Sequence, residues 1–166
     1  VKLSIPRNTW LKGPNILMEL DGEMDLVKQE TFFELFGQIG IVRGHYTLIG
    51  KRFNIVEGNL KFKGGKELNP DIVLTAEYEI RTASKEKKSL RLFISGNAEN
   101  PEIRFTLDGS DITKADAVSY IAFGKSTEEL SFGEQAGMER SALALDFATS
   151  VLSKELSKSL GQELQL

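Results

Sequence analysis

Between Gly44 and Asp71 apolar residues recur at every second position while glycine interrupts the pattern at short intervals: GHYTLIGKRFNIVEGNLKFKGGKELNPD. Tyr46 and Leu48, Phe53 and Ile55, and Leu60 and Phe62 each share one face of an extended strand, because strand side chains point alternately to opposite sides. A helix would scatter the same residues around its circumference. Gly50-Lys51 and Glu57-Gly58 read as tight reversals, where glycine supplies the positive φ such turns need. A sheet with one apolar face is the starting constraint.

The flanking segments repeat the habit. Val1, Leu3 and Ile5 alternate before Pro6. Ile16, Met18, Leu20, Gly22, Met24 and Leu26 alternate with Glu19, Asp21, Glu23 and Asp25, which fits one long strand with a dry side or two strands hinged near Asp21-Gly22. Four like charges on one strand face are expected to point to water. Phe32, Phe33, Leu35 and Phe36 break the alternation, so Gln29 to Gly40 reads as a loop or a short turn of helix. Ile72, Leu74, Ala76, Tyr78 and Ile80 form a period-two strand whose partner holds Leu90, Leu92 and Ile94, across a charged tip at Ser84 to Lys88. Ile103, Phe105 and Leu107 make one more.

After Asp108 the spacing changes. Thr113-x-x-Asp116 caps a helix over about 113–124 with Ala115, Val118, Ile121 and Ala122 on one side and Gly124 at its end. Ser131-x-x-Glu134 is a capping box for a longer amphipathic helix over about 132–160. Met138, Ala142, Leu145, Thr149, Leu152, Leu156 and Leu160 share one arc of it, while Leu143 and Phe147 lie opposite and make a possible docking face. The expected fold is mainly β: a curved, apolar-faced sheet over 1–110, then a segment over 111–166 with two C-terminal α-helices packed on or capping the sheet. The turns suit a meander, and a coiled β-helix would use the same period.

Composition removes several function classes. With 166 residues, 40% hydrophobic and 27% charged, the chain can bury a core as one domain. A net charge of -3 with interspersed signs leaves no footprint for nucleic acid. The absence of cysteine excludes thiol catalysis, zinc-thiolate sites and disulfides. No apolar run reaches the roughly 18 residues of a membrane span. The chain opens at Val1 without Met and reaches Leu166 in mid-pattern, which reads as part of something longer.

Little catalytic chemistry is on offer. His45, the sole histidine, has no Asp-x-His or His-x-x-His neighbour and reads as a surface or turn residue. Asp108-Gly109-Ser110-Asp111 lacks the alternating ligands and distal Glu of a calcium loop and reads as an Asx-type turn leading into the helix. Gly64-Gly65-Lys66 lacks phosphate-loop spacing. No catalytic residue, metal or cofactor is expected, and the chain does not read as an enzyme.

The residues together resemble a family. Gly44-x-Tyr46-x-Leu48-x-Gly50-x-x-Phe53-x-Ile55-x-x-Gly58-x-Leu60-x-Phe62-x-Gly64-Gly65, then Asn69-Pro70-Asp71-Ile72, is similar to the C-terminal domain of the TamB (translocation and assembly module) family of diderm bacteria. Pro101-Glu102-Ile103-x-Phe105, followed by Asp116 to Lys125 ending in Phe123-Gly124-Lys125, resembles that family's strand-then-helix signature; Asn8-x-Trp10-x-Lys12-Gly13 resembles its lead-in. The resemblance implies a β-taco, a long sheet folded into a trough that is polar outside and apolar inside. It also implies a parent protein anchored in the inner membrane and crossing the periplasm, linked to phospholipid transfer and to outer-membrane protein assembly. Family members continue past the long helix into strands implicated in docking a TamA-like outer-membrane barrel insertase, so that partner is expected to engage regions mostly beyond this chain.

On this reading the dry faces line a groove for phospholipid acyl chains. The candidate contacts are Met18, Leu20, Met24 and Leu26; Tyr46, Leu48, Phe53 and Ile55; Leu60, Phe62, Ile72, Leu74 and Tyr78; and Leu90, Leu92, Ile94, Phe105 and Leu107. Shielding a dozen methylenes from water is worth on the order of 10 kcal/mol, so a lipid crossing an aqueous gap needs such a lining. The simpler account is that the helices pack on the sheet and fill it. A different class of function, a scaffold for outer-membrane β-barrel proteins, would use unpaired sheet edges to receive incoming strands.

Overall fold

The computed structural model describes residues 1–138 of the chain. Eight strands follow one another: β1 (Lys2–Lys12), β2 (Ile16–Lys28), β3 (Phe33–Leu48), β4 (Lys51–Lys63), β5 (Asp71–Arg81), β6 (Lys87–Gly96), β7 (Pro101–Leu107) and β8 (Ser110–Ile112). Each pairs antiparallel with its sequence neighbour, in spatial order β1 to β8. The sheet is a meander and not a β-helix, and β1 and β8 form its two open edges. Helix α1 (Lys114–Phe123) and a 3-10 turn (Thr127–Glu129) follow, and a second helix, α2, begins at 132. Leu143, Phe147 and most of the long helix expected from the sequence lie outside the described residues.

Period-two patterning explains most of the strands, and four local readings need correction. The segment from Phe33 onward is strand, with Leu35, Ile39 and Ile41 inward and buried. It read as a loop because Phe36 is apolar on the outer face, where its ring lies against Gly64. The reversal between β3 and β4 is Ile49-Gly50, both at positive φ between the paired Leu48 and Lys51, a two-residue turn whose twist suits a hairpin. Glu57-Gly58 is no turn at all but mid-strand in β4. Glycine stands there because Ile41 crosses it: a Cβ would meet Ile41 Cδ1 at 2.6 Å. Finally, Asp108-Gly109 closes the β7–β8 hairpin before the helix starts.

Three strands are bulged at one level. β1 shifts register between Ile5 and Thr9, β3 gains a residue at Val42 opposite Glu19 and Leu20 of β2, and β4 gains one at Val56 opposite Thr75 and Ala76. Pairing between β3 and β4 lapses between Gly40↔Asn59 and His45↔Asn54. Each one-residue bulge switches which parity faces inward. Leu35, Ile39 and Ile41 are odd and Tyr46 and Leu48 even, whereas Phe53 and Ile55 are odd and Leu60 and Phe62 even. Bulges bend a strand and add twist. Set side by side, they form a crease across the sheet that lets its dry face curl on itself.

Helix α1 starts as its sequence dictates. The Thr113 hydroxyl accepts from Asp116 N–H at 3.1 Å, and Gly124 ends the helix in the left-handed conformation. Asp116 in turn accepts from the Thr127 N–H and hydroxyl at 3.0 and 2.7 Å, fixing the 3-10 turn against the helix start. Val118 and Ile121 are buried with Ala117, while Ala115 is exposed. The carbonyl of Gly124 accepts from Ala83 N–H, so α1 ends against the β5–β6 turn. The capping box of α2 is formed, Ser131 and Glu134 exchanging bonds at 3.3 and 3.4 Å.

Candidate functional site: the apolar inner face

The apolar side chains of the inward rows form one cluster. Met18, Leu20 and Met24 of β2, Tyr46 and Leu48 of β3, and Phe53, Leu60 and Phe62 of β4 are buried in it. So are Ile72 and Leu74 of β5, Leu90, Leu92 and Ile94 of β6, and Phe105 and Leu107 of β7. Leu26, Ile55 and Tyr78, also expected there, are partly buried and pack against the cluster. Tyr78 sits 5.4 Å from Phe53, ring centre to ring centre. The strands thus bring the expected lining residues onto one surface.

That surface is less accessible than an open groove would be. Met18, Leu48, Phe53, Leu60, Leu90 and Leu92 have no exposed area within the chain. Ala117, Val118 and Ile121 of α1 join the same cluster, and Met138 packs against it. Partial exposure is spread along the rim of the cluster, from Leu3 and Ile5 on β1 and Ile112 on β8 to Leu26, Ile55, Tyr78 and Ile103 on the strands between. Among the described residues β1 and β8 are the edge strands, and there the apolar face ends without a neighbouring strand.

Several lining residues escaped the sequence reading. Leu35 and Ile39 fall within the segment to Gly40 that reads as a loop, and Ile41 lies just beyond it in no assigned strand, although the three share a period-two spacing. Leu11, Ile16, Ala76 and Ile80 complete the inward rows of β1, β2 and β5. Glycines take the remaining inward places on β2 and β3. A Cβ on Gly22 would approach Ile39 Cα to 2.9 Å, one on Gly37 would approach Met24 Cα to 2.7 Å, and one on Gly44 would approach Met18 Cα to 2.8 Å. Each glycine stands opposite a large buried partner, so small and large alternate across the tightest part of the curl.

The outer face is polar and cross-linked by charge. Glu77 pairs with Arg91 at 3.1 Å, Lys63 with Asp71 at 2.7 Å and Arg104 with Asp111 at 2.7 Å. Contrary to the expectation that all four carboxylates of β2 face water, Glu19 is buried, only 6% exposed. The bulge at Val42 sets Arg43 opposite it, and Arg43 Nε donates at 2.6 Å while Asn8 N–H donates at 2.9 Å to the other oxygen. Arg43 also lies 5.3 Å from the centre of the Trp10 ring. The hydrogen bond from Arg43, helped by that from Asn8, holds the Glu19 carboxyl below its ordinary pKa despite desolvation. This cluster clamps β1, β2 and β3 across the crease.

His45 is half-buried in the middle of β3, paired with Leu17 and Asn54. Among the described residues no three His, Asp or Glu side chains are grouped to hold a metal ion. No helix among them is long and apolar enough to cross a membrane. What the arrangement offers is a folded apolar surface with a charged exterior.

A family model described as the TamB C-terminal domain matches residues 1–166. A curated relative, the translocation and assembly module subunit TamB of Haemophilus influenzae, is 25% identical over 128 residues, which is 77% of this chain and 10% of the relative. The chain thus spans about a tenth of the length of the relative it matches. It belongs to the TamB C-terminal domain family.

Proposed function

We propose that this TamB-family chain is a segment of a periplasmic envelope protein of a diderm bacterium, its parent anchored in the inner membrane, and that its apolar inner face carries phospholipid acyl chains between the inner and outer membranes. The observation that supports this most is the single continuous apolar cluster running through β1 to β8 on one side of an open sheet. A closed barrel would have no lateral access, whereas the open edges, with Leu3 and Ile5 on β1 and Ile112 on β8, give an acyl chain a route in. Once inside, a chain meets a mostly aliphatic and aromatic lining, including the adaptable Met18 and Met24. No head-group chemistry is needed for that contact, and no catalytic step is part of the reading. A TamA-like insertase is the expected partner of the parent, through regions mostly outside this chain.

The alternative, a scaffold that receives barrel strands at its edges, draws on the same open edges. Those edges are poorly suited to it. β8 is three residues long, and β1 carries Pro6, which has no N–H, beside a register shift and the left-handed Asn8. Such features blunt strand addition. The lipid reading is therefore favoured.

The test is to purify the chain from envelope-containing cells and analyse an organic extract by mass spectrometry. Co-purifying phospholipid is expected, and replacing the edge-strand residues Leu3 and Ile112 by serine should reduce it while circular dichroism stays unchanged. A lipid-free extract, with crosslinks from β1 to a barrel peptide, would favour the scaffold instead.

A further inference from the structure

The two ends of the sheet differ sharply in charge. Because the meander is regular, the β1–β2, β3–β4, β5–β6 and β7–β8 turns all lie at one end. They carry Lys12, Lys51, Arg52, Arg81, Lys85, Lys87 and Lys88 against the carboxylates Glu86 and Asp108. At the other end the β2–β3, β4–β5 and β6–β7 turns carry more carboxylates than lysines, with Glu30, Glu67 and Glu99 near their tips. A chain of net charge -3 has thus placed seven of its 21 lysines and arginines at one rim.

Most of that charge is uncompensated. Lys87 reaches Glu79 at 3.2 Å, but both side chains are largely exposed and the pair is weak. Lys12, Lys51, Arg52, Arg81, Lys85 and Lys88 have no carboxylate partner among the described residues. Of the nearby acids, Asp111 is paired with Arg104 and Glu134 with Lys125, while Asp108, which accepts from Ser89 N–H at 2.8 Å, keeps its charge and leaves the rim cationic in net. Glu129 does share a shallow depression with Lys88 beside Tyr120 and Gly124. By strand parity Lys51 and Lys88 sit on the inward rows, just beyond Phe53 and Leu90, so cationic groups border the apolar lining where it ends.

We propose that this rim is a docking surface for an anionic phospholipid bilayer, with Lys51, Arg52, Lys85 and Lys88 against the head-group phosphates. The surface suits phosphates spread over a plane: the cations come from three separate turns, none is buried, and none is arranged as a pocket for one small anion. Clustered lysine and arginine are drawn to an anionic leaflet, and the attraction fades within a Debye length of about 8 Å at physiological salt. The choice of a bilayer as the partner rests on the lipid reading above. Docking at this rim would place the apolar face at right angles to the membrane surface, with the acidic end pointing away.

The test is flotation of the chain with vesicles of phosphatidylcholine alone, or of phosphatidylcholine with phosphatidylglycerol. Binding is expected only to the anionic vesicles and should be lost in high salt. Each removed charge is expected to weaken partition about five-fold, so the K51E/R52E/K85E variant should lose at least about a hundred-fold. The variant K28E/K61E/K66E makes the same change in net charge away from the rim and should bind nearly as well as the unchanged chain. Equal loss in both variants, equal binding to uncharged vesicles, or equal retention by polyglutamate beads would each overturn the proposal. If the triple variant unfolds, the single changes R52E and K85E decide in the same way. Lipid carriage is read separately, by mass spectrometry of the chain before vesicles are added. A lipid-bearing chain that ignores anionic vesicles defeats the rim alone, and a lipid-free chain that binds them defeats the groove alone.

Discussion

Gly37 is the sharpest test of how the sheet achieves its curl. It sits in β3 at φ +127, a conformation side chains resist, and its inward position faces Met24 of β2. A Cβ there would press on Glu23 O and come within 2.7 Å of Met24 Cα, both backbone atoms that cannot swing aside. The backbone strain of a non-glycine residue is about 1–3 kcal/mol. Forcing β2 and β3 apart adds about 1–3 kcal/mol more. Gly37→Ala should therefore cost about 4 kcal/mol, which for a chain of this size lowers Tm by roughly 8–16 °C. Gly50 provides the control, since it also has positive φ (71°) but nothing lies within 4 Å of the added Cβ. Gly50→Ala should cost only the left-handed backbone penalty, about 1–2 kcal/mol. Thermal and urea unfolding followed by circular dichroism measure both. If the two variants have the same midpoint, the close approach of β2 and β3 is not what makes glycine necessary, and the account of the curl fails.

Three further outcomes follow from buried polar groups and the core. Ser119 of α1 is fully buried and its hydroxyl has no hydrogen-bond partner among the described residues; Ser119→Ala should be neutral or raise stability by up to about 1 kcal/mol in urea titrations. Leu92→Ala, which truncates a side chain with no exposed area, should cost about 2–5 kcal/mol by the same assay. Acid should destabilise the chain through groups whose folded pKa is depressed: Glu19, held down first by Arg43, Asp116, by Thr127, and Glu134, by Lys125. Their stabilisation is present above the ordinary carboxylate range and is lost as pH falls through the lower folded values. Glu19→Gln should flatten the acid limb of a plot of Tm against pH; an unchanged limb would show that Glu19 does not contribute.

Much of this architecture was legible because period-two alternation is a direct record of burial. Strands β5, β6 and β7 follow a single parity from end to end, and their inward residues could be named from spacing alone. The reading faltered where parity changes. In β3 the inward set runs 35, 39, 41 and then 46, 48, because Val42 bulges out, and in β4 Val56 does the same. A bulge leaves no residue-type signature here: valine fits a regular strand equally well. Gly58 was mistaken for a turn because its cause, Ile41 on the neighbouring strand, is seventeen positions away in sequence. The burial of Glu19 was hidden for the same reason, since Arg43 and Asn8 reach it only once the register is set.

The same geometry bears on how an acyl chain could enter a face that is already packed. Two elements could give way, α1 or the edge strands β1 and β8. α1 is tied to the sheet at its C-terminal end, where the carbonyl of Gly124 accepts from Ala83 N–H on the β5–β6 turn, while Thr113 and Asp116 brace the helix start and the 3-10 turn that follows it. Among the described residues the outer sides of β1 and β8 carry no further strand, and Leu3, Ile5 and Ile112 there are already partly exposed. Entry there costs contact between apolar groups that the incoming methylenes restore at about 0.8 kcal/mol each, whereas lifting α1 also strips the Ala83–Gly124 hydrogen bond, which hydrocarbon cannot replace. The edge is thus the cheaper gate. Asp116→Ala, which loosens α1 and its 3-10 turn without touching the sheet, should leave the amount of co-purified phospholipid unchanged. A rise in lipid content in that variant would show that α1, and not the edge, controls access.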